Sequence, residues 1–225
     1  MNIGATSTTD VGLYFQWGDV QGYRAEDMDN NNGKWAGYKY CDGSDSNMTK
    51  YNSTDGKTVL DASDDAARAI WKNKWRIPTS SEYTALGNAT TRTWTNDYQN
   101  SGISGWILTD NTDNTKVLFF PAGGTFYNGS IGNVNSIGRY WINTLHPTDN
   151  KSSLCLSFDN NVILYSYDQY RCTNMPIRAV YDDSISYNDL TDKPTIPVIW
   201  SGTQAQYDAI TTPDANTIYI ITASS

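Results

Sequence analysis

Positive charge is scarce in this chain. Lys and Arg number 16 against 24 Asp and Glu, which leaves a net charge of −8 and a pI near 4.5. Nucleic-acid binding requires a basic footprint, and an anionic membrane surface attracts one too, so neither partner is expected. No apolar run approaches the ~20 residues of a membrane span. The first residues, MNIGATSTTD, lack the basic segment and apolar stretch of a signal peptide, so synthesis in the cytoplasm without one is expected. Cysteine is sparse and odd in number: Cys41, Cys155 and Cys172. That count sets no disulfide framework; Cys155 and Cys172 either pair across neighbouring strands or stay as buried thiols. Without a CxxC a zinc site is not expected. His146 is the only histidine, it sits in the turn-like LHPTDN, and no nucleophile elbow accompanies it, so a Ser-His-Asp triad is not expected either. No phosphate-cradling glycine loop is present. The chain therefore reads as a non-enzyme without cofactor or metal.

What is abundant is aromatic and small polar. There are 8 Trp and 16 Tyr, and only 18% of residues are charged. Disordered chains have the opposite balance, so this one reads as folded. A body of ~180 residues can bury roughly 70% of its unfolded surface and needs no covalent staple.

Along the chain, VGLYFQWGD at 11–19 reads as a strand. Residues 25–58 are turn-rich and plausible only if they pack on the domain. Within them DMDNNNG has oxygen ligands at alternate positions, but its glycine is seventh and Tyr38 stands twelfth, where a calcium loop has glycine sixth and glutamate twelfth; an Asx-rich turn is the reading. DASDDAARAIW reads as a helix with Ser63 and Asp64 as capping candidates. IPTSSEYTALG reads as a second, with Thr79 and Glu82 as a capping box and Gly87 as its stop. From residue 103 the signals are strands: GWILT, KVLFFPAGG, GRYWINT, SLCLSF, NVILYSY and MPIRAV. LCLSF and VILYSY alternate, which predicts one buried and one wet face. Strand, two helices and then antiparallel-type strands make an α+β layout. Composition shifts near residue 181. IPVIW and TIYIIT read as short strands around a helix in TQAQYDAI, so the expected domains are 1–181 and a linker plus strand–helix–strand module at 182–225.

The run GLYFQWGD, DAARAIWKNKWRIPT, VLFFPAGG, GRYWINT, LCLSF and PIRAV resembles the C-type-lectin-like fold. It resembles more closely the gut-bacterial major paralogous domain family and the variable proteins of diversity-generating retroelements. The motifs that carry the likeness are Trp75 to Thr79, Phe120 to Gly123, Tyr140 to Thr144 and Ile177 to Val180. The tail, SYNDLTDKPTIP with WSGTQAQYDAITTPDANTIYIIT, is similar to segments of bacteriophage tail-fibre and baseplate proteins. These resemblances imply a virion component, a fibre-tip protein that binds a host surface receptor, whether protein or glycan. They also imply contact with other tail proteins through 182–225 and a homotrimer. The alternative is a bacterial surface lectin-like adhesin. The calcium-binding Glu-Pro-Asn and Gln-Pro-Asp motifs of sugar-binding C-type lectins are missing.

In the retroelement-diversified proteins the ligand surface lies between the strand that corresponds to Phe120 to Gly123 and the last strand, and adenine-directed mutation varies its Asn codons. Residues 123–172 hold seven Asn, six Ser and five Tyr, no Glu or Met, and a single Lys and Gln. Antibody paratopes draw on a similar palette, because Tyr gives contact area at low entropic cost and Ser, Gly and Asn give adaptable hydrogen bonds. The expected contacts are Tyr127, Asn128, Ser130, Asn133, Asn135, Ser136, Arg139 and Asn143, then Tyr165, Tyr167, Asp168, Tyr170 and Asn174. Phe126, Ile131, Val134, Ile137 and Trp141 are the expected anchors beneath them.

Overall fold

The computed structural model describes residues 1–72, 74–182, 198–212 and 217–222. The chain divides into two compact units, Met1–Asp183 and Ser184–Ser225. In the first unit the elements are β1 (Tyr14–Phe15), α1 (Ala66–Trp71), β2 (Trp75–Arg76), α2 (Ser80–Ala89), β3 (Thr90–Thr95), β4 (Gly105–Asp110), β5 (Val117–Pro121), β6 (Thr125–Tyr127), β7 (Ser130–Gly132), β8 (Gly138–Leu145), β9 (Ser152–Phe158), β10 (Ile163–Tyr170), β11 (Met175–Pro176) and β12 (Val180–Tyr181). The strands form small antiparallel sheets: β8–β9–β10, β3–β4–β5, and the pairs β1–β11, β2–β12 and β6–β7. With two helices beside them the content is α+β, as expected.

The β8–β9–β10 sheet separates two cores. Trp141 and Cys155 point into one, with Phe15, Trp17, Tyr51, Ile77, Met175 and Ile177. Tyr140, Ile142, Leu156 and Phe158 point into the other, with Tyr83, Leu108 and Phe120. The expected wet face of β9 is therefore absent: the strand is covered on both sides, and its serines Ser153 and Ser157 are buried with the rest. The long strand expected at 11–19 shrinks to two residues, because Gly12 and Gly18 on either side adopt left-handed backbone, with φ of 83° and 79°. The expected MPIRAV strand is split into β11 and β12, which pair with different partners.

The helix ends follow local chemistry. Asp65, not Ser63 or Asp64, caps α1, accepting from the backbone N–H groups of Ala67 and Arg68; its second oxygen accepts from Ile77 at 2.9 Å. Thr79 and Glu82 form the expected reciprocal capping box on α2. Gly87 does not end α2. It lies inside the helix because a Cβ there would sit 1.8 Å from the Tyr165 hydroxyl oxygen, so close packing overrides the helix propensity that glycine forfeits.

The turn-rich excursion packs on the domain through two charged groups. Arg171 is fully buried. Its Nε donates to the Tyr38 hydroxyl at 2.9 Å, Nη1 to the carbonyls of Asn150 and Tyr51 at 2.8 and 3.2 Å, and Nη2 to the Lys50 carbonyl at 2.9 Å. The rings of Trp17, Tyr38 and Tyr51 lie 5.1–5.7 Å from the guanidinium carbon. No carboxylate pairs with it among the described residues. Asp64, 5% exposed, instead holds Lys50 at 2.5 Å and accepts from the Tyr51 hydroxyl. Burial alone raises the Asp64 pKa, but hydrogen bonds from Lys50, Tyr40 and Tyr51 outweigh it and bring the value down to about 2.

In the second unit β13 (Val198–Gly202) and β14 (Thr217–Ile221) pair in parallel, with α3 (Gln204–Asp208) between them in sequence. Thr203 and Gln206 form another capping box, and the rings of Trp200, Tyr207 and Tyr219 meet at 5.2–6.2 Å. The strand–helix–strand order matches expectation.

Two outcomes follow for stability. Arg171→Met leaves three carbonyls and a tyrosine hydroxyl without their buried donor, and should cost about 3–5 kcal/mol in a urea titration; a loss under about 1 kcal/mol would show that the arginine is dispensable. Asp64 has a folded pKa below its unfolded one, so its contribution is complete above pH 4 and lost as pH falls toward 2, about 2 kcal/mol in all. Burial raises the pKa of Asp65, which works in the opposite direction. Comparing Asp64→Asn with the parent between pH 5 and 2 isolates the contribution of Asp64: the gap between them should narrow as acid is added.

Candidate functional site: an aromatic hairpin face

Asn128-Gly129 joins β6 to β7 as a two-residue turn with φ of 52° and 81°. Positive φ at both positions is the type I′ geometry, which Asn-Gly supplies with little strain. The acidic loop before Trp35 docks on this hairpin. Asn128 N–H donates to the Gly33 carbonyl at 2.9 Å and Gly129 N–H to that of Asn32 at 3.1 Å. Gly33 has φ of 69°, and a Cβ on it would lie 2.8 Å from the Phe126 carbonyl oxygen and Tyr127 Cα. Asp29 and Asn32 close the loop as an Asx turn, through Asn31 N–H to Asp29 and Asp29 N–H to Asn32, as the departures from the calcium pattern indicated.

Over this base sit three aromatic rings. Tyr127 and Tyr170 are 6.1 Å apart, and Trp35 lies 5.8 Å from Tyr170. Tyr127 is 40% and Tyr170 44% exposed. Burial, with Cys172, Tyr170 and Asp45 nearby, pushes the Tyr127 pKa upward, so the phenol is a neutral donor and acceptor at physiological pH. Lys151 and Asp45 form an exposed ion pair at 3.1 Å, worth little by itself. Arg139 lies 4.9 Å over the Tyr167 ring and donates to Gln169 at 3.0 Å and Ser157 at 3.3 Å. Gln169 in turn donates to Thr173 at 3.1 Å, next to Asn174, whose backbone pairs with Phe126 of β6. The network ties Arg139 and Tyr167 to the hairpin.

The expected contacts divide accordingly. Tyr127, Asn128, Ser130, Asn133, Asn135, Ser136, Asp168 and Tyr170 are exposed, and Arg139 and Tyr167 are half-buried. Asn174 is 1% exposed and is not a contact residue, because it bridges the sheet to the hairpin. Asn143 occupies an irregular stretch where β8 leaves β9; its backbone bonds Pro78 and Leu60 instead. Tyr165 accepts from Arg92 and covers Gly87, away from Tyr167, because the register of β10 shifts between Leu164 and Tyr167. Asn128, Asn133 and Asn135 all have left-handed backbone, and the Asn135 side chain is committed to Ser104 N–H and the Gly102 carbonyl. Part of the asparagine richness is thus turn chemistry.

Among the anchors, Phe126 and Trp141 are buried and Ile137 is half-buried, but Ile131 and Val134 are 39% and 47% exposed. Ile131 is the cross-strand partner of Phe126, so it shares that residue's face of the ribbon and is only partly covered there, and Val134 lies beyond the end of β7. Trp35 and Gln169 were missed by the sequence reading; the aromatic Trp35 beside the acidic loop was the available signal.

The cysteines are free thiols, and burial pushes Cys155 and Cys172 up to about 12, which disfavours the thiolate that nucleophilic chemistry needs. The His146 ring nitrogen accepts from Thr148 and Asp149 N–H groups within its own turn. No cluster of three metal-ligating side chains occurs among the described residues, and no helix among them is long and apolar enough to cross a membrane.

No curated protein and no solved structure matches the chain. Residues 197–222, which contain β13, α3 and β14, match the phage tail tip domain family, so the chain carries a phage tail-type segment at this position.

Proposed function

We propose that the protein is a non-enzymatic bacteriophage tail or fibre-tip component that attaches to the host cell surface. Its first unit, read as a C-type-lectin-like domain, presents the Tyr127–Tyr170–Trp35 face with Ser130, the cross-strand partner of Tyr127, beside it. Retroelement-directed variation of this face is part of the proposal, as are virion location and a homotrimeric tip. The observation that carries the reading is the phage tail tip match at residues 197–222. The exposed tyrosines on a hydrogen-bonded hairpin support it, since aromatic anchors on a rigid base bind without a large ordering cost.

The second unit supports the tail assignment from another side. Ile218 and Ile220 of β14 are 50% and 48% exposed, while Tyr219 between them meets Trp200 and Tyr207. A two-stranded module this small is marginal alone, and its outward isoleucines suit a contact with another tail protein or a second copy.

Two measurements test these halves separately. Tyr127→Ala with Tyr170→Ala should lower adsorption of phage, or binding of the purified chain to host cells, at least tenfold while shifting unfolding by less than about 1 kcal/mol per site. Unchanged adsorption with intact folding removes the face from the proposal. Ile218→Asp with Ile220→Asp should leave cell binding by the first unit intact but abolish incorporation into virions and any higher-order assembly seen by light scattering; normal incorporation refutes the docking role.

A further inference from the structure

A cleft of about 490 Å³ opens among α1, β2, α2, β5 and β12, apart from the hairpin face. That volume falls within the range of small-molecule sites. Its walls are mainly apolar: Trp71 and Trp75, with ring centroids 5.0 Å apart at 74°, together with Leu86, Leu118 and Phe120. Two charged side chains line it, Glu82 and Arg178. Glu82 is already committed, with both oxygens on Arg76 at 2.7 and 2.8 Å and one also on Thr79 N–H at 2.8 Å. The nearby Asp182 carboxylate is held by Arg76 at 2.7 Å.

Arg178 has no such partner. Its guanidinium lies 5.0 Å over the Phe120 ring and makes a single long hydrogen bond, Nη1 to Asn2 Oδ1 at 3.3 Å. No carboxylate pairs with it among the described residues. Arginine carries five donors, so most of this group's capacity is unspent in a half-buried position. Burial lowers its pKa, the signature of a cation whose desolvation is not offset. A second polar group in the same wall is also unsatisfied: Tyr83, 3% exposed, has a buried hydroxyl with no hydrogen-bond partner among the described residues.

We propose that this cleft binds a carboxylate carried on a weakly polar ring, with the carboxylate on Arg178 and the ring against Trp71 and Trp75. A carboxylate matches the guanidinium fork bidentately, and the indoles supply flat apolar area for a ring. An acidic sugar of a surface glycan and an aromatic acid share this chemistry.

Calorimetry on the full chain with two matched pairs, glucuronate against glucose and benzoate against benzamide, provides the test. At least one acid should bind tenfold or more tightly than its neutral partner, and the preference should shrink as salt is raised. Binding by glucuronate alone identifies a glycan source, and binding by benzoate alone an aromatic acid. Acids that bind no better than their neutral partners overturn the proposal. Arg178→Gln should erase the preference. Because Arg178 also rests on Phe120, a second variant protects the test: Leu118→Glu, at a position 41% exposed, adds a charge of the ligand's own sign at the cleft and should weaken the acids at least threefold more than their neutral partners. Undiminished acid binding in either folded variant refutes the assignment. None of these outcomes bears on the Tyr127–Tyr170 face, which contributes no residue to the cleft.

Discussion

The structure of the first unit depends on one buried cation. Arg171 follows the exposed Tyr170 directly in sequence, and the two side chains point in opposite directions, one into the protein and one out. The guanidinium gathers carbonyls from Lys50, Tyr51 and Asn150 and the hydroxyl of Tyr38, so segments far apart in sequence end at one planar group. A long excursion with little regular structure leaves backbone carbonyls that must find donors once buried. A single arginine supplies several at once, and its weak hydration makes burial less costly than for an ammonium. Because no acid is involved, this junction does not depend on a carboxylate remaining ionised; the acid-sensitive link is the adjacent one, where Lys50 also reaches Asp64.

That junction decides how the aromatic face is presented. The excursion held by Arg171 includes Tyr38, whose ring meets Trp35 at 5.8 Å, and Trp35 meets Tyr170. The chain around Trp35 is also clamped to the β6–β7 hairpin through Gly33 and Asn128. Tyr127, Tyr170 and Trp35 therefore project from backbones that are already fixed. Exposed side chains on fixed backbone lose only their own rotamer freedom on contact with a partner, whereas those on a loose loop add the cost of ordering the chain.

Much of this was legible in the sequence, and the limits have physical causes. Thr79 with Glu82 announced α2, and the apolar alternation of LCLSF and VILYSY announced β9 and β10. The helix stop at Gly87 misled because a missing Cβ can mean a turn or a close neighbour; the neighbour, Tyr165, lies 78 residues on and leaves no local mark. The β6–β7 turn carries its signal openly in Asn128-Gly129, and β3 carries its own in the threonines of TTRTWT. Tyr165 and Tyr167 look like one stripe at strand spacing, but a shift in register between Leu164 and Tyr167 places them against different cores. Burial of β9 on both faces was hidden for a related reason, since Ser153 and Ser157 read as solvent-facing and are in fact covered.

The asparagines of the hairpin region show how structure constrains the proposed adsorption face. Asn128, Asn133 and Asn135 combine exposure with left-handed backbone, a conformation that β-branched and bulky residues adopt only under strain. Substitution there by Ile, Thr or Val would strain the hairpin turn at Asn128, or the turn after β7 at Asn133 and Asn135, before it altered any contact. Tyr127, Ser130, Ile131 and Val134 have negative φ and exposed side chains, so nothing in the backbone restricts their identity. A surface that changes its specificity while keeping its fold must draw its changes from the second group and retain Asn, Asp or Gly in the first. The composition of the segment is then the sum of two demands, asparagine for the turns and a mixed aromatic and small-polar set for contact, and only the second is free to follow a receptor.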